Sequence, residues 1–385
     1  DLPPRVPMDV LVVGAGVAGC QVARELAADH DVTVLDQQGV ASGATGLSAG
    51  IVAPTLFYAE TPDVARYANQ FFREFDGTGG FEFTHRNRLD FVTEGEVEEH
   101  RERAEHLADE GFPVRYLEAD EIPEGYPDFT PEGTEFVGAV EFEDTGWVDP
   151  YSYANALATV ARERGATFET DVTVESVTTA DDAVTGVETD QGSYDADAVV
   201  LAACWRTQDL LPGDVEIPIR PYRTQVLILE PDEPLGEKFP LGRIGSEHLY
   251  FRPEHNGDLL IGGEHHLVDD PTGASGDADE TFKLDVAGFV PSLMNGFENA
   301  GFVNGWAGVD AATPDTRPII DTVGPDGLAV ATGFNGLGVM ASPVVGPTMR
   351  ERLTGEAAPF TTDPFSLDRF DSLSSAFEYV STSDV

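Results

Sequence analysis

Four apolar β-formers, Val10-Leu11-Val12-Val13, run without a polar break, the pattern of a strand covered on both faces. Gly14-Ala15-Gly16-Val17-Ala18-Gly19 follows, then a helical stretch to Ala28, then a second apolar run, Val32-Thr33-Val34-Leu35, closed by Asp36. The spacing predicts strand, tight turn, helix and parallel strand. Gly14 permits the turn, Gly16 lets backbone approach a pyrophosphate, and Gly19 lets helix and strand pack closely. An anion would sit on the helix N-terminus. Asp36, 17 residues beyond Gly19, is placed to accept hydrogen bonds from a ribose diol and would repel a 2′-phosphate, which disfavours NADP.

Further along, the periodicity alternates between two characters. A small-residue loop, residues 42–50, precedes a predicted helix from Pro62 to Phe75. Residues 81–143 then read as an extended stretch, a charged helix from Glu96 to Glu110, and a Pro/Gly-punctuated segment ending in Phe136-Val137-Gly138-Ala139-Val140. Asp149 and Pro150 are the N-cap and first position of a helix from Tyr151 to Arg164. Strand patterns return at 172–187 and 198–201, and again from Pro221 to Phe302. A last strand, 328–333, leads into a helix to Leu353. The fold class is α/β: a Rossmann-like dinucleotide-binding domain with a mixed sheet, interleaved with an α+β domain whose sheet is mainly antiparallel. The expected segments are 8–80, 144–220 and 303–358 for the first domain, 81–143 and 221–302 for the second, and 359–385 for a mobile acidic tail.

Composition narrows the setting. Asp plus Glu number 70 against 22 Lys plus Arg, a formal net charge of −48. Such a surface repels itself in dilute salt and is screened in molar salt, where the Debye length is about 3 Å. It resembles the lysine-poor, acidic composition of proteins from salt-accumulating haloarchaea. Nucleic acid and anionic membranes are excluded as partners by the same charge. Cys20 and Cys204 are isolated, make no metal framework and suit a reducing compartment; both read as small buried residues. No apolar run reaches the ~18 residues of a membrane span, and residues 1–7 carry no signal-peptide pattern and precede Met8 as an extension, so cytoplasmic residence is expected. His265-His266 beside Asp269 and Asp270 reads as a solvated loop, and no metal is expected.

From Val10 to Gly355 the ordered motifs resemble the D-amino-acid oxidase superfamily of FAD-dependent oxidoreductases, in the branch of glycine oxidase, sarcosine oxidase and dehydrogenase, and D-amino-acid dehydrogenase. They are the 14–19 loop, the 42–50 loop, Gly146-Trp147-Val148-Asp149-Pro150, Val199-Val200-Leu201-Ala202-Ala203-Cys204-Trp205, Tyr250-Phe251-Arg252-Pro253 before Leu260-Ile261-Gly262-Gly263, Trp306-Ala307-Gly308 before Thr313-Pro314-Asp315, and Gly333-Phe334-Asn335-Gly336-Leu337-Gly338. The resemblance implies FAD, with Gly14, Gly16, Gly19, Asp36 and Gln37 on the ADP part and Val172 beside the adenine. It implies Ser42, Thr45, Ser48, Ala49 and Gly50 at the pyrophosphate and flavin edge, and Ala202, Ala203 and Trp205 under the cofactor. Gly308 lies near the flavin; Gly333, Asn335, Gly336, Leu337, Gly338 and Val339 offer backbone N–H groups to its pyrimidine end. The implied chemistry is oxidation of the C–N bond of a small amine or amino acid by hydride transfer to flavin N5.

Departures from the pattern carry the finer expectations. Relatives place a carboxylate-binding Arg after the Trp-x-Gly step, where this chain has Gly308-Val309-Asp310. Either Arg252, Arg223, Arg317 or Arg88 replaces it, or the substrate has no carboxylate and Asp310 faces a cation or solvent. Tyr250, Arg252 and Asp310 are the candidate catalytic residues. Met340 stands where an oxygen-activating Lys would be, and Gly308 and Leu47 where covalent links would be, so FAD is expected to be non-covalent and a dehydrogenase with an electron-acceptor protein is favoured over an oxidase. The alternatives are oxidation of a 2-hydroxy acid or polyol phosphate, and a non-catalytic flavin-carrying subunit.

Overall fold

The computed structural model describes residues 7–213 and 215–382; the expectation for the chain's first six residues and the end of the tail, 383–385, lie outside them. A six-stranded sheet runs in the order Ile319–Thr322, Leu328–Thr332, Ala198–Leu201, Asp9–Val13, Asp31–Asp36, Thr167–Thr170. Its pairs are parallel except the first, which is antiparallel. The unbroken apolar run in Asp9–Val13 has a direct cause: alternate residues enter two different cores. Val10 and Val12 pack with Val22, Leu26, Val344 and Val345 of the helices Val17–Leu26 and Gly338–Thr354. Leu11 and Val13 pack with Val177, Val184 and Val187 of an antiparallel meander spanning 174–195. The helix Pro150–Glu163 starts as its sequence dictates, Asp149 accepting a hydrogen bond from Ser152 N–H at 2.7 Å.

A second sheet has eight strands, ordered Gly301–Ala312, Arg220–Glu230, Leu259–Leu267, Leu249–Pro253, Leu241–Ile244, Arg88–Thr93, Phe136–Phe142, Val114–Glu118. It is antiparallel apart from one parallel pair, Leu241–Ile244 with Arg88–Thr93. One face buries Leu89, Phe91, Leu227, Phe251 and Ile261 against the helix Glu280–Leu293. The other carries Tyr250, Val226, Leu241, Leu260 and Trp306 toward the glycine-loop side, where they meet Ala49, Ile51 and Met340.

Four sequence expectations are corrected here. Strand Gly301–Ala312, assigned from residue 303 on to the first domain, pairs along its length with Arg220–Glu230 in the eight-stranded sheet. Residues 280–293 form a helix inside a segment read as strands, seated by Phe282, Val286 and Val290. His265 and His266 lie on the strand Leu259–Leu267 rather than in a solvated loop. The segment 359–382 is no mobile tail: Phe360 and Phe365 are buried, Arg369 pairs with Asp315 at 2.7 Å, and Tyr379 packs against Tyr222.

Candidate flavin and substrate site

The two sheets enclose a cavity of roughly 380 Å³ between the glycine loop and the inner face of the eight-stranded sheet. At one end Gly14 (φ +108°) turns so tightly that a Cβ there would meet the Ala202 carbonyl oxygen at 2.4 Å, and a Cβ on Gly19 would meet the Gly14 oxygen at 1.9 Å. These contacts bind the turns after two parallel strands together. The first bond within helix Val17–Leu26 is Cys20 N–H to Gly16 O, so Ala18 and Gly19 N–H precede it without an intrahelical acceptor. Thr45 Oγ1 accepts from Val17 N–H at 3.1 Å, tying the small-residue loop to this end.

Asp36 does more than wait for a ribose. Its carboxylate accepts from Ala15 N–H at 2.8 Å, Gln38 N–H at 2.8 Å and Gly39 N–H at 2.9 Å, clamping the glycine loop to the segment after the second strand. It still lines the cavity.

At the far end, Asp310 lines the cavity and also braces its wall. One oxygen accepts from Cys204 Sγ at 3.0 Å and Ala311 N–H at 2.8 Å, the other from Gly336 N–H at 2.8 Å. Gly336 N–H is therefore committed to Asp310 and is not offered to a ligand. Burial raises the Asp310 carboxyl above its ordinary range, against those hydrogen bonds, and burial followed by the Asp310 charge pushes the Cys204 thiol well up. Cys204 lines the cavity, unlike the buried Cys20. Asn335, left-handed at φ +52°, is bonded through its side chain to Thr313 and Gly333, so Asn335 and Gly333 shape the loop from behind the cavity wall. The N–H groups of Gly338, Val339 and Met340 precede the first bond of helix Gly338–Thr354, Ala341 N–H to Leu337 O, and all three residues line the cavity.

Between the ends, the sheet face supplies Tyr222, Tyr250 and His265, with His265 Nδ1 2.9 Å from Ser381 Oγ of the C-terminal segment. Tyr250 has room because Gly262 opposes it: a Cβ there would lie 2.4 Å from the phenol oxygen. Arg252 is a correction. Its donors go to Ala49 O at 2.5 Å, Pro253 O at 3.1 Å and Glu254 at 3.1 Å, its guanidinium stacks on Trp147, and it lies off the cavity. Arg223 is held by Asp279, Ser275 and Asp277, Arg317 by Glu60, and Arg88, though it lines the cavity, by Asp90 at 2.5 Å. The structure brings Gly14, Gly16, Asp36, Gln37, Ser42, Thr45, Ser48, Ala49, Gly50, Val172, Ala202, Ala203, Trp205, Tyr250, Gly308, Asp310, Gly336, Leu337, Gly338 and Val339 to one cavity. Gly19 acts behind it through packing. Sequence reasoning missed Tyr222, Arg243, His265 and Thr382, which also line it. Sheet register, invisible in one strand alone, places Tyr222, Arg243 and His265 there, and the C-terminal segment brings Thr382.

Residues 9–352 match the FAD dependent oxidoreductase family, DAO. The chain belongs to this family. Among curated relatives of this DAO-family chain, 4-methylaminobutanoate oxidase (formaldehyde-forming) of Paenarthrobacter nicotinovorans is 26% identical over 94% of the chain, which spans only 45% of that protein. Sarcosine oxidase subunit beta of an Arthrobacter species is 25% identical over 96% of the chain and 92% of its own length. Glycine oxidase from Geobacillus kaustophilus shares the fold with a TM-score of 0.83 at 22% identity, covering 96% of this chain and all of the other. L-proline dehydrogenase from P. horikoshii does so with a TM-score of 0.84 at 24% identity, covering 94% and 98%.

The family is FAD-dependent, and the residues present fit that group. Ser48 Oγ lines the cavity, buried and without a protein partner, as a hydroxyl reserved for a ligand would be. A Cβ on Gly16 would come within 3.0 Å of Thr45 Oγ1, in the space a pyrophosphate needs. Among the described residues no cluster of His, Cys, Asp or Glu could hold a metal ion, and no helix is long and apolar enough to cross a membrane.

Proposed function

We propose that this DAO-family chain oxidises the C–N bond of a small amine or amino acid, with non-covalent FAD, and passes the electrons to a separate carrier rather than to oxygen. One observation carries the reading: the first residues of helix Gly338–Thr354, Tyr222 and Tyr250 line the same cavity as the glycine loop. FAD accepts two electrons from the substrate when bound. The chain's own part is orientation and electrostatics. Gly14, Gly16, Asp36, Thr45 and Ser48 would hold the ADP half, and the N–H groups of Gly338, Val339 and Met340 would stabilise negative charge at the far end. Tyr250 and Tyr222 present apolar ring faces to a small substrate, and burial raises both phenols, so they stay neutral.

Support for non-covalent binding comes from the side chains at the positions in question. Leu47 lines the cavity and touches Gly308, and neither offers a nucleophile. Cys204, the thiol at the wall, is held protonated by burial and Asp310. Met340, apolar and buried, brings no charge to the cavity. The relatives' printed substrates, sarcosine and 4-methylaminobutanoate, are both methylated amines, and this class is proposed for the chain.

An anaerobic screen of the holoenzyme in molar salt tests the reading. Sarcosine, N-methylated amino acids or D-amino acids should bleach the flavin, and denaturation should release it free. Bleaching only by a hydroxy acid, or colour retained on the unfolded chain, would overturn it.

A further inference from the structure

We infer that Asp310 and Tyr222 form a cation-binding subsite at the far end of the cavity, and that the substrate presents a charged amino group there. The inference rests on the proposed amine oxidation for its functional meaning, and on the sheet for its geometry. Tyr222 and Asp310 are directly opposed on the antiparallel strands Arg220–Glu230 and Gly301–Ala312, so both side chains leave one face, and both residues line the cavity. Two glycines keep space open beside them. Gly308, two residues before Asp310 on the same face, opposes Thr224 without a side chain, and a Cβ on Gly336 would stand 2.7 Å from Tyr222 Oη.

Each of the two groups lacks a partner that its setting calls for. Tyr222 is 1% exposed, and its hydroxyl has no hydrogen-bond partner among the described residues. Asp310 holds three donors, Cys204 Sγ, Ala311 N–H and Gly336 N–H, all of them neutral. A carboxylate has about four acceptor positions, so one on the oxygen bonded to Gly336 stays open. Its charge is uncompensated as well, because no cationic side chain among the described residues pairs with it. The same sheet treats other buried carboxylates differently: Asp90 pairs with Arg88, and Glu141 with Arg115. A carboxylate held out of water without a counterion is costly. An ammonium supplies that counterion, a donor for the open position and a donor for the phenol oxygen. The rings of Tyr222 and Tyr250, packed 5.8 and 6.2 Å from His265, add faces that favour a cation bearing alkyl groups. Hydride leaves a carbon beside a neutral nitrogen, so the charged nitrogen on Asp310 is a second one. The substrate class is therefore a diamine or a diamino acid.

The test first reads ligand binding to oxidised holoenzyme, independently of turnover. tert-Butylammonium and tert-butanol share a shape, differ in charge and have no hydrogen on the carbon that a flavin would oxidise. Both are titrated against the flavin absorption band in mildly alkaline molar KCl, where a Debye length of about 3 Å removes the general pull of the −48 charge on cations. The wild type should bind the ammonium at least about tenfold more tightly than the alcohol. Asp310→Asn should weaken the ammonium roughly 10- to 100-fold and leave the alcohol unchanged, the loss of a charge-assisted contact. Tyr222→Phe removes a hydroxyl bonded to nothing among the described residues and should weaken the ammonium about three- to tenfold; it carries the test should Asp310→Asn lose flavin. Under anaerobic conditions N-methylethylenediamine should bleach the wild-type flavin at concentrations about tenfold below those of N-methylpropylamine, which lacks the second amino group. Equal binding of ammonium and alcohol by the wild type, an unchanged preference in flavin-loaded Asp310→Asn or Tyr222→Phe, or equal bleaching by the two amines would overturn the assignment. A wild type that prefers the ammonium but is bleached by no amine upholds the subsite and refutes the proposed oxidation.

Discussion

Replacing Asp36 by alanine should damage the protein before any cofactor is added. Its carboxylate holds three backbone N–H groups at 2.8–2.9 Å, and their settings differ. Ala15 is buried, so its N–H would be left without water or partner, a loss of about 1–3 kcal/mol. Gln38 is exposed and Gly39 half-buried, so both recover hydration and cost about 0.5 kcal/mol each. The apoprotein should lose about 2–4 kcal/mol. Loss of the ribose contact adds about 1–3 kcal/mol to binding, a further roughly 5- to 150-fold in Kd. Urea unfolding of apoprotein and holoprotein in molar KCl, with flavin fluorescence titration, separates the two effects. An Asp36→Ala apoprotein within ~0.5 kcal/mol of wild type would refute the clamp, leaving Asp36 as a ribose ligand alone.

Other outcomes follow from neighbouring features. The folded Asp310 carboxyl lies above its unfolded value, so its contribution is fully present below the ordinary carboxylate range and declines as pH rises through the folded pKa. The stability of wild type minus that of Asp310→Asn should therefore fall between acid and neutral pH; a flat or rising difference contradicts the burial argument. Tyr379→Ala removes a ring packed 5.8 Å from Tyr222, should cost about 1 kcal/mol, and should raise quenching of bound flavin by iodide without altering flavin content. Unchanged quenching would show that the segment does not guard the cavity. The unfolding temperature should climb steeply between 0.1 and 3 M KCl as the −48 charge is screened, and a salt-insensitive value would count against a self-repelling surface.

Local chemistry was legible in the chain; juxtaposition was not. The strand–glycine loop–helix–strand unit is written in contiguous residues, and the Asp149-Pro150 helix start needs only its own turn. By contrast, Arg252 and Arg243 look alike in sequence. Register turns one toward Ala49 O and Trp147 and the other into the wall beside Tyr250. The helix Glu280–Leu293 escaped because it carries Pro291 and exposes Leu284 on its solvent face, which blurs its period. Residues 359–382 read as a solvated tail because their anchors, Phe360, Phe365 and Tyr379, are single aromatics without a repeat.

That C-terminal stretch has a consequence for how such a scaffold diversifies. Beyond Phe370 it joins neither sheet and holds the cavity by Tyr379 on Tyr222, Ser381 on His265 and Thr382 along the wall. A binding chamber whose side panel is fastened largely through side-chain contacts among the described residues can be reshaped one substitution at a time, while the strands that carry the nucleotide cradle fold as before.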